Sequence, residues 1–222
     1  MFPFLLFATT QAKSKYTITD EVWFDVKIYN YNNTGQVLDG TFVVGVFGDA
    51  LPITTTNFIQ LAKGFSPNYK DIGKIYSYKR SFFHRIIPDF VIQTNEFLHK
   101  GILSYYGSYF RDEGFLFSHV SAGYVGMANH GKNTNGASFY ITLRAARHLD
   151  GKNVLFGKIV SGMKIIRAIA DVPTDRSSSP IRPVMIEDCG VVHLKEKYKL
   201  TEEQIKSNDD IKKSITMYTT NL

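Results

Sequence analysis

The sequence predicts a mainly β protein, in which short strands close into an antiparallel barrel and two helices pack on it. Short apolar runs recur along the chain, separated by polar segments rich in glycine, asparagine or proline. Two other stretches carry apolar residues at the three- and four-residue spacing of a helix. The 222 residues suffice for one domain with a substantial core. Many short strands with few helices favour closure into a barrel, because closure leaves no exposed edge.

The first half of the chain begins with a predicted hairpin. Apolar residues alternate over Val22–Ile28 with the period of two that is typical of a half-buried strand. Residues Thr41–Phe47 form the second strand, after an asparagine- and glycine-rich turn at Tyr29–Asp39. A first helix is predicted over Thr54–Gly64, with a threonine as its N-cap and Gly64 in the left-handed position past its end.

The centre of the chain is predicted to pair two strands around a Pro88-Asp89 turn. In a regular strand Arg85 would lie opposite its neighbours His84 and Ile86, because alternate side chains share a face. Such an arginine either lies in solvent at a sheet edge or, when buried, must find acceptors for its charge. From here the pattern predicts a second helix at Gly162–Ala170 and the strands Phe82–Ile87, Phe90–Ile92, Gly123–Met127, Phe139–Thr142, Leu155–Ile159 and Met185–Val192.

We divide the chain into an apolar segment at residues 1–19, one folded domain at residues 20–194 and a polar tail at residues 195–222. The first segment is a candidate signal peptide with a short apolar run and no preceding positive charge; an apolar arm is the alternative. A signal peptide predicts a location in the endoplasmic reticulum or outside the cell, with the cytoplasm as the alternative. The tail is predicted to be disordered or a frayed helix, with a capping box at Thr201 and Gln204.

The segment between Gly64 and Lys79 is a predicted loop in which tyrosines alternate with lysines. Its tyrosines, Tyr69, Tyr76 and Tyr78, form either a contact surface for a peptide or an acidic partner, or anchors that fix the loop to the core. The sequence leaves both interpretations open.

Composition argues against several classes of function. The net charge of +6 is spread along the chain without a long basic block, so we expect no nucleic-acid binding. No apolar run approaches the ~18 residues of a membrane helix. Cys189 is the only cysteine, and the six histidines lack the i, i+4 spacing of a metal pair, so we expect no metal and no cofactor. A near match to a phosphate-binding loop at Gly126–Asn133 has asparagine where serine or threonine is required.

Several separated motifs occur together in one order. The first is FHRIIPDFVIQ at residues 83–93, followed by MANHGKNTNGASFY at residues 127–140 and LDGKNVLFG at residues 149–157. From about Val22 to Val192 the chain resembles the cyclophilin family of peptidyl-prolyl isomerases, and the secretory branch of that family looks most similar. The resemblance implies an eight-stranded barrel with a helix covering each end and an active face on the outside.

The resemblance also implies an activity and a set of site residues. It implies a peptidyl-prolyl cis-trans isomerase that assists protein folding, binds proline-containing polypeptides and works as a monomer. By position, Arg85 matches the catalytic arginine, Gln93 the residue that positions it, and Phe90 a wall of the proline pocket. Leu149 matches a further wall and Asn129 the backbone clamp, within a substrate-binding set of Val91, Ala128, Asn129, His130, Ser138, Tyr140, His148, Leu149 and Asn153.

Six of these positions depart from the family pattern. Val91 and Tyr140 stand where methionine and phenylalanine are usual, and both keep an apolar wall. Four changes are less conservative, namely those at His130, Ser138, His148 and Asn153. They support an alternative function, in which the chain is a module that binds proline-containing segments with little or no catalysis.

Two further expectations concern an inhibitor and a modification. In cyclophilins a tryptophan at the position of His148 contributes an indole to bound cyclosporin, so we expect this chain to bind cyclosporin weakly. Asn32-Asn33-Thr34 is the only N-x-[ST] sequence in the chain and lies in the predicted hairpin turn. Asn32 is therefore a candidate glycosylation site if the chain enters the secretory pathway.

Overall fold

The computed structural model describes residues 15–67, 75–96 and 102–212. Eight strands in these residues form one antiparallel sheet with the order β3-β4-β6-β5-β7-β2-β1-β8. Each predicted strand is found, and several are longer than the sequence indicated. The strands are β1 Thr17–Ile28, β2 Leu38–Val46, β3 Phe83–Ile87, β4 Val91–Thr94, β5 Tyr124–Met127, β6 Phe139–Thr142, β7 Leu155–Ser161 and β8 Val184–Lys199.

The sheet curls into an open half-barrel, so the predicted closed barrel is wrong. Strands β3 and β8 lie at opposite ends of the strand order, and an isolated bridge between Phe82 and Met185 joins them in place of a ladder. The loop before β8 explains the opening. The backbone N–H of Ile86 in β3 donates to the carbonyl of Ser178 at 2.8 Å, so this loop occupies the edge where β8 would otherwise pair.

The concave side of the sheet is filled by aromatic and branched side chains. The rings of Phe24 and Phe42 stack at 4.9 Å, and Phe58 of the first helix meets Phe139 edge-on at 5.2 Å. All four are fully buried. Such rings bury large apolar areas and prefer tilted or edge-on contacts, so this cluster is the main apolar contribution to folding.

Three α-helices lie in the described residues: α1 Pro52–Lys63, α2 Met163–Ala170 and α3 Glu202–Lys206. None of the helices in these ranges is both long enough and apolar enough to cross a membrane. Helix α1 packs on β8 and α2 packs on β2. The end of α1 is as predicted, because Gly64 follows it with a φ of 81°.

The predicted threonine cap of α1 is wrong. The Glu113 carboxylate accepts from the backbone N–H groups of Ile53 and Thr54 at 2.8 and 2.7 Å. It also accepts from the hydroxyl of Thr54 at 2.8 Å. A carboxylate at a helix N-terminus satisfies unpaired donors and complements the helix dipole. A residue remote in sequence therefore caps the helix.

The loop after α1 is anchored to the core by its tyrosines. Tyr76 pairs with Phe65 through backbone hydrogen bonds of 3.1 and 2.9 Å. Tyr78 is fully buried, and its hydroxyl donates to the Ala137 carbonyl at 2.9 Å. These contacts favour the anchor interpretation for Tyr76 and Tyr78, whereas Tyr69 lies outside the described residues.

The described part of the C-terminal tail contains the end of a strand and a short helix. Strand β8 continues to Lys199, well past the predicted end at Val192. The predicted capping box then starts α3, with the Thr201 hydroxyl accepting from the Gln204 backbone and the Gln204 side chain accepting from the Thr201 backbone. Residues 1–14, most of the candidate signal peptide at residues 1–19, lie outside the described residues, whereas Thr17–Thr19 belong to β1.

A buried lysine lies beneath this C-terminal segment. The Nζ of Lys158 donates to Ser121 Oγ, to the Ala122 carbonyl and to the Ser207 carbonyl at 2.9, 2.9 and 3.0 Å. It also sits 4.2 Å from the centre of the Tyr124 ring. Since the side chain is 1% exposed, burial lowers the pKa of Lys158 to about 7.

This lysine makes the stability of the fold depend on pH. The ordinary lysine pKa is 10.5, so between about pH 7 and pH 10.5 the folded state binds fewer protons than the unfolded state. The contribution of Lys158 to the free energy of unfolding is therefore fully present above pH 10.5 and is lost as the pH falls towards 7. Between pH 7.5 and pH 9 we expect the free energy of unfolding to rise by up to about 1.4 kcal/mol per pH unit from this group.

Urea unfolding of Lys158→Met and the wild type at several pH values measures this contribution. The methionine keeps an apolar stem without a titrating group, so the variant should have the shallower pH slope. Lys152→Met, at an exposed position, is the matched control and should keep the slope of the wild type. Equal slopes in wild type and Lys158→Met would contradict the assignment.

Candidate active site

A bulge in β3 brings Arg85 to the surface of the sheet. Phe83 pairs with Thr94 and Arg85 with Gln93, so His84 is one residue in excess of its partner strand. Strict alternation is therefore wrong here, because His84 and Arg85 are both exposed while Phe83 is buried. Bulges of this kind redirect a side chain and are frequent next to active sites.

Four residues on adjacent strands form a row across the sheet, which we call the Arg85 row. Arg85 pairs with Gln93, Gln93 with Tyr140, and Tyr140 with Gly126. Directly paired residues lie on the same face, and neighbouring strands are about 4.8 Å apart. The adjacent row, Ile86, Ile92, Ile141 and Val125, belongs to the core. The Arg85 row therefore lies on the face turned away from the core.

A tight turn places an aromatic wall beside this row. The Phe90 backbone N–H donates to the Ile87 carbonyl at 3.1 Å across the predicted Pro88-Asp89 turn, and Asp89 has a φ of 58°. The Phe90 ring lies 4.9 Å from the imidazole of His148. Both rings keep solvent contact, so the pair offers an apolar surface to a ligand.

Leu149 comes directly after His148 in the sequence. Both residues belong to a 3-10 turn at Arg147–Leu149, in which Leu149 is half-buried. Val91 is 4% exposed and lies behind the surface. Arg85 and Gln93 thus pair across adjacent strands, and Phe90, one residue before β4, forms a ring contact with His148.

Three predicted substrate contacts have side chains that bond within the fold. The Ser138 hydroxyl is buried and donates to the Thr94 carbonyl at 2.6 Å, so this side chain does not reach the surface. The Asn153 amide donates to the Met127 carbonyl at 3.0 Å. The Asn129 amide donates to the Lys152 carbonyl at 3.1 Å, which leaves its backbone as the part available to a ligand. Ala128 is half-buried, and its N–H donates to the Ser138 carbonyl at 3.0 Å.

His130 belongs to a polar cluster at the rim of the site. Its Nε2 lies 3.0 Å from Glu96 Oε1, and the Tyr109 hydroxyl donates to Glu96 Oε2 at 3.3 Å. Glu96 and Tyr109 belong to none of the motifs recognised in the sequence. They come from the segments before and after residues 97–101, where the chain departs most from the family pattern.

A buried polar chain that no sequence motif marks starts from Tyr140. The Tyr140 hydroxyl lies 2.8 Å from Nε2 of His119, and Nδ1 of His119 lies 2.7 Å from Oδ1 of Asp150. His119 is fully buried and Tyr140 is 4% exposed. One signal could have revealed this chain, because a tyrosine in place of a phenylalanine brings a hydroxyl that needs a partner when buried.

The described residues contain no group of three or more histidine, cysteine, aspartate or glutamate side chains placed to hold a metal. Burial raises the pKa of the Cys189 thiol to about 12, and its Sγ donates to the Ala62 carbonyl. A thiol in that state is a structural residue rather than a nucleophile.

A family model described as cyclophilin type peptidyl-prolyl cis-trans isomerase/CLD matches residues 30–191. Peptidyl-prolyl cis-trans isomerase D of Saccharomyces cerevisiae is 36% identical over 211 residues, which cover 91% of this chain and 88% of that protein. Peptidyl-prolyl cis-trans isomerase 11 of Caenorhabditis elegans is 42% identical over 154 residues, 68% of this chain and 82% of that protein.

A much longer protein also matches. NK-tumor recognition protein of Mus musculus is 41% identical over 175 residues, which cover 78% of this chain and 12% of that protein. This chain thus corresponds to a small part of that relative. The family match, the two relatives of similar length and the exposed arginine beside an aromatic wall agree, and the chain belongs to the cyclophilin-type peptidyl-prolyl cis-trans isomerase family.

Proposed function

We propose that this chain accelerates rotation about X-Pro peptide bonds in polypeptide substrates and so assists protein folding. The observation that carries the proposal is the exposed Arg85 guanidinium in one row with Gln93 and beside the Phe90–His148 wall. The names of the two relatives of similar length support the same reaction.

The chemistry requires differential binding rather than bond breaking. Rotation of an amide meets a barrier of about 18–20 kcal/mol, because resonance holds the bond planar. In the twisted transition state the proline nitrogen becomes pyramidal and regains a lone pair. A donor directed at that lone pair binds the twisted state better than either planar isomer, which is what lowers the barrier.

Arg85 is suited to be this donor. A guanidinium is permanently charged and carries its donors in a rigid plane. An acceleration of ~10⁴ needs about 5–6 kcal/mol of differential stabilisation. A charge-assisted hydrogen bond together with immobilisation of the substrate can supply this amount. We assign to the Gln93 amide the orientation of the guanidinium and the peptide, a role that its pairing with Arg85 across the strands supports.

Burial of Ser138 and the internal hydrogen bond of the Asn153 amide favour a second candidate, a module that holds proline-containing segments with little catalysis. Both side chains stand where the family presents groups to the substrate. A protease-coupled assay on an Ala-Pro peptide separates the two functions, since only the isomerase increases the rate of rotation.

Proline-containing polypeptides are the partners that this site fits. We also propose that the protein acts as a monomer and does not bind nucleic acid. Several of its basic side chains lie next to carboxylates on the surface, including Lys79 with Asp188 at 2.9 Å and Lys197 with Asp49 at 2.7 Å. This pairing limits the positive potential that a nucleic acid would need.

Replacing Arg85 with alanine tests the proposed mechanism. We expect kcat/KM to fall by ~10² or more, the scale of one lost transition-state donor. Arg85→Lys keeps a charge without the rigid fork and should recover only part of the rate. Arg80→Ala is the matched control, because Arg80 is an exposed arginine that pairs with Glu187 at 3.0 Å. Activity of Arg85→Ala within twofold of the wild type would contradict the mechanism.

His148 should limit the affinity for cyclosporin. Its imidazole has less apolar area than an indole, and burial contributes roughly 25 cal/mol per Å². Together with one lost hydrogen bond, the deficit is about 2 kcal/mol, or about thirtyfold in affinity. Calorimetric titration should therefore show tighter binding to His148→Trp than to the wild type. Ala145→Trp adds an indole at a nearby exposed position and should leave the affinity unchanged. Equal affinities for all three proteins would show that His148 does not contact the inhibitor.

We further propose that the chain enters the secretory pathway, with the cytoplasm as the alternative, and that Asn32 is then glycosylated. Asn32 is exposed in the turn between β1 and β2, and the Thr34 hydroxyl donates to the Tyr31 carbonyl at 2.7 Å. The full chain expressed in secretory cells should change in mobility after endoglycosidase treatment. Asn32→Gln should abolish the change, whereas Asn33→Gln keeps the acceptor sequence and should not. An exported protein without a mobility change would exclude the glycan.

A further inference from the structure

A chain of buried polar groups, which we call the His119 relay, starts from Tyr140 of the Arg85 row. It runs from the Tyr140 hydroxyl through the His119 imidazole to the Asp150 carboxylate, with contacts of 2.8 and 2.7 Å. Oδ1 of Asp150 also accepts from the His119 backbone N–H at 2.9 Å, and its Oδ2 accepts from the Ser118 hydroxyl. These contacts hold His119 at both its backbone and its ring.

The direction of each hydrogen bond in the relay follows from the protonation states. Burial opposes ionisation of Asp150, but the hydrogen bonds from Ser118 and His119 outweigh it and lower the pKa of the carboxyl. Burial lowers the pKa of His119, and Asp150 offsets only part of this effect. A neutral imidazole beside a carboxylate must donate from Nδ1, so Nε2 accepts and the Tyr140 hydroxyl donates.

The two ends of the relay lie on two sides of the site. Tyr140 pairs with Gln93 and thus belongs to the Arg85 row. Asp150 comes directly after His148 and Leu149, and His148 packs against Phe90 at 4.9 Å. The imidazole therefore acts as a rigid spacer between the row that holds Arg85 and the segment that carries the aromatic wall.

The ring of Tyr140 has little alternative space. It crosses Gly126 on the neighbouring strand, where a β-carbon would lie 2.5 Å from Cζ of Tyr140. Glycine at this position lets the ring lie flat against β5 with its hydroxyl directed at His119. The close backbone approach and the hydrogen bond together determine one position for the ring.

We propose that the Tyr140 hydroxyl and His119 are positioning residues that fix the width of the proline-binding site and thereby its preference for a five-membered ring. This inference rests on the proposed function for its substrate. The groups that would discriminate between five- and six-membered rings do not themselves touch the reacting bond.

Removing the hydroxyl alone tests the relay. Tyr140→Phe keeps the ring and deprives His119 Nε2 of its donor. We expect the ratio of kcat/KM for an Ala-Pro peptide over the matching pipecolyl peptide, which has a six-membered ring, to fall by about threefold to tenfold. Tyr124→Phe is the matched control, because Tyr124 is a fully buried tyrosine whose hydroxyl donates to the Ile205 carbonyl at 2.9 Å, away from the site. Its ratio should equal that of the wild type.

A second comparison shows that the hydroxyl acts through His119. In a His119→Leu background Tyr140→Phe should cause no further change in the ratio, because the partner is already absent. If the ratio of kcat/KM values were the same in Tyr140→Phe and Tyr124→Phe, the proposal would be overturned. The Tyr140 hydroxyl would then have only a structural role.

Calorimetry gives the ratio of dissociation constants for the same two peptides, so the relay is judged separately from catalysis. A wild type that binds both peptides without isomerising them would overturn the proposed reaction alone. The relay then stands if the ratio of dissociation constants falls in Tyr140→Phe and not in Tyr124→Phe, and it fails if the two variants agree.

Discussion

The spacing of two core residues in β3 determines where the site lies. Phe83 and Ile86 are both buried in the core, but they are three positions apart, whereas a regular strand returns to one face every two residues. Both can reach the core only if one extra residue is inserted between them. The bulge at His84 supplies that residue, and as a result Arg85 lies on the outer face opposite Gln93. Without the bulge, a one-residue slip would direct the guanidinium to the core, where an unpaired charge is costly.

The core face of these strands is stabilised by apolar packing, whereas the face that carries the site also contains buried polar groups that need hydrogen-bond partners. On the core side, packing of rings such as Phe24 and Phe139 at 5.6 Å contributes free energy through buried area and needs no polar partner. On the site side, Tyr140 is nearly as buried but carries a hydroxyl, and its partner His119 is satisfied in turn by Asp150. A buried polar chain with every member bonded adds rigidity that an apolar contact of the same area lacks. On the proposed mechanism, rigidity matters because a small displacement of a donor from its target greatly reduces its effect.

Local sequence patterns were enough to predict the eight strands of the described residues, helices α1 and α2 and the turn at Asp89, because periodicity and turn chemistry act over a few residues. Arg85, Gln93 and Phe90 belong to one contiguous motif, so a local pattern was also enough to single them out as candidates. What they missed depends on contacts between distant segments. Glu113 caps a helix that begins about sixty residues earlier, Ser178 blocks the edge of β3, and Ser207 in the described part of the tail accepts from Lys158. No local pattern carries information on these pairings.

The departures from the family pattern have a common physical result at two positions. Ser138 bonds to the Thr94 carbonyl beside Gln93, and Asn153 bonds to the Met127 carbonyl just before Ala128. Each side chain therefore fixes the backbone that supports the site instead of extending towards a substrate. The Arg85 row, which would act on the rotating bond, does not include either residue. The substitutions at Ser138 and Asn153 should therefore weaken the binding of flanking substrate residues. They should raise KM more than they lower kcat.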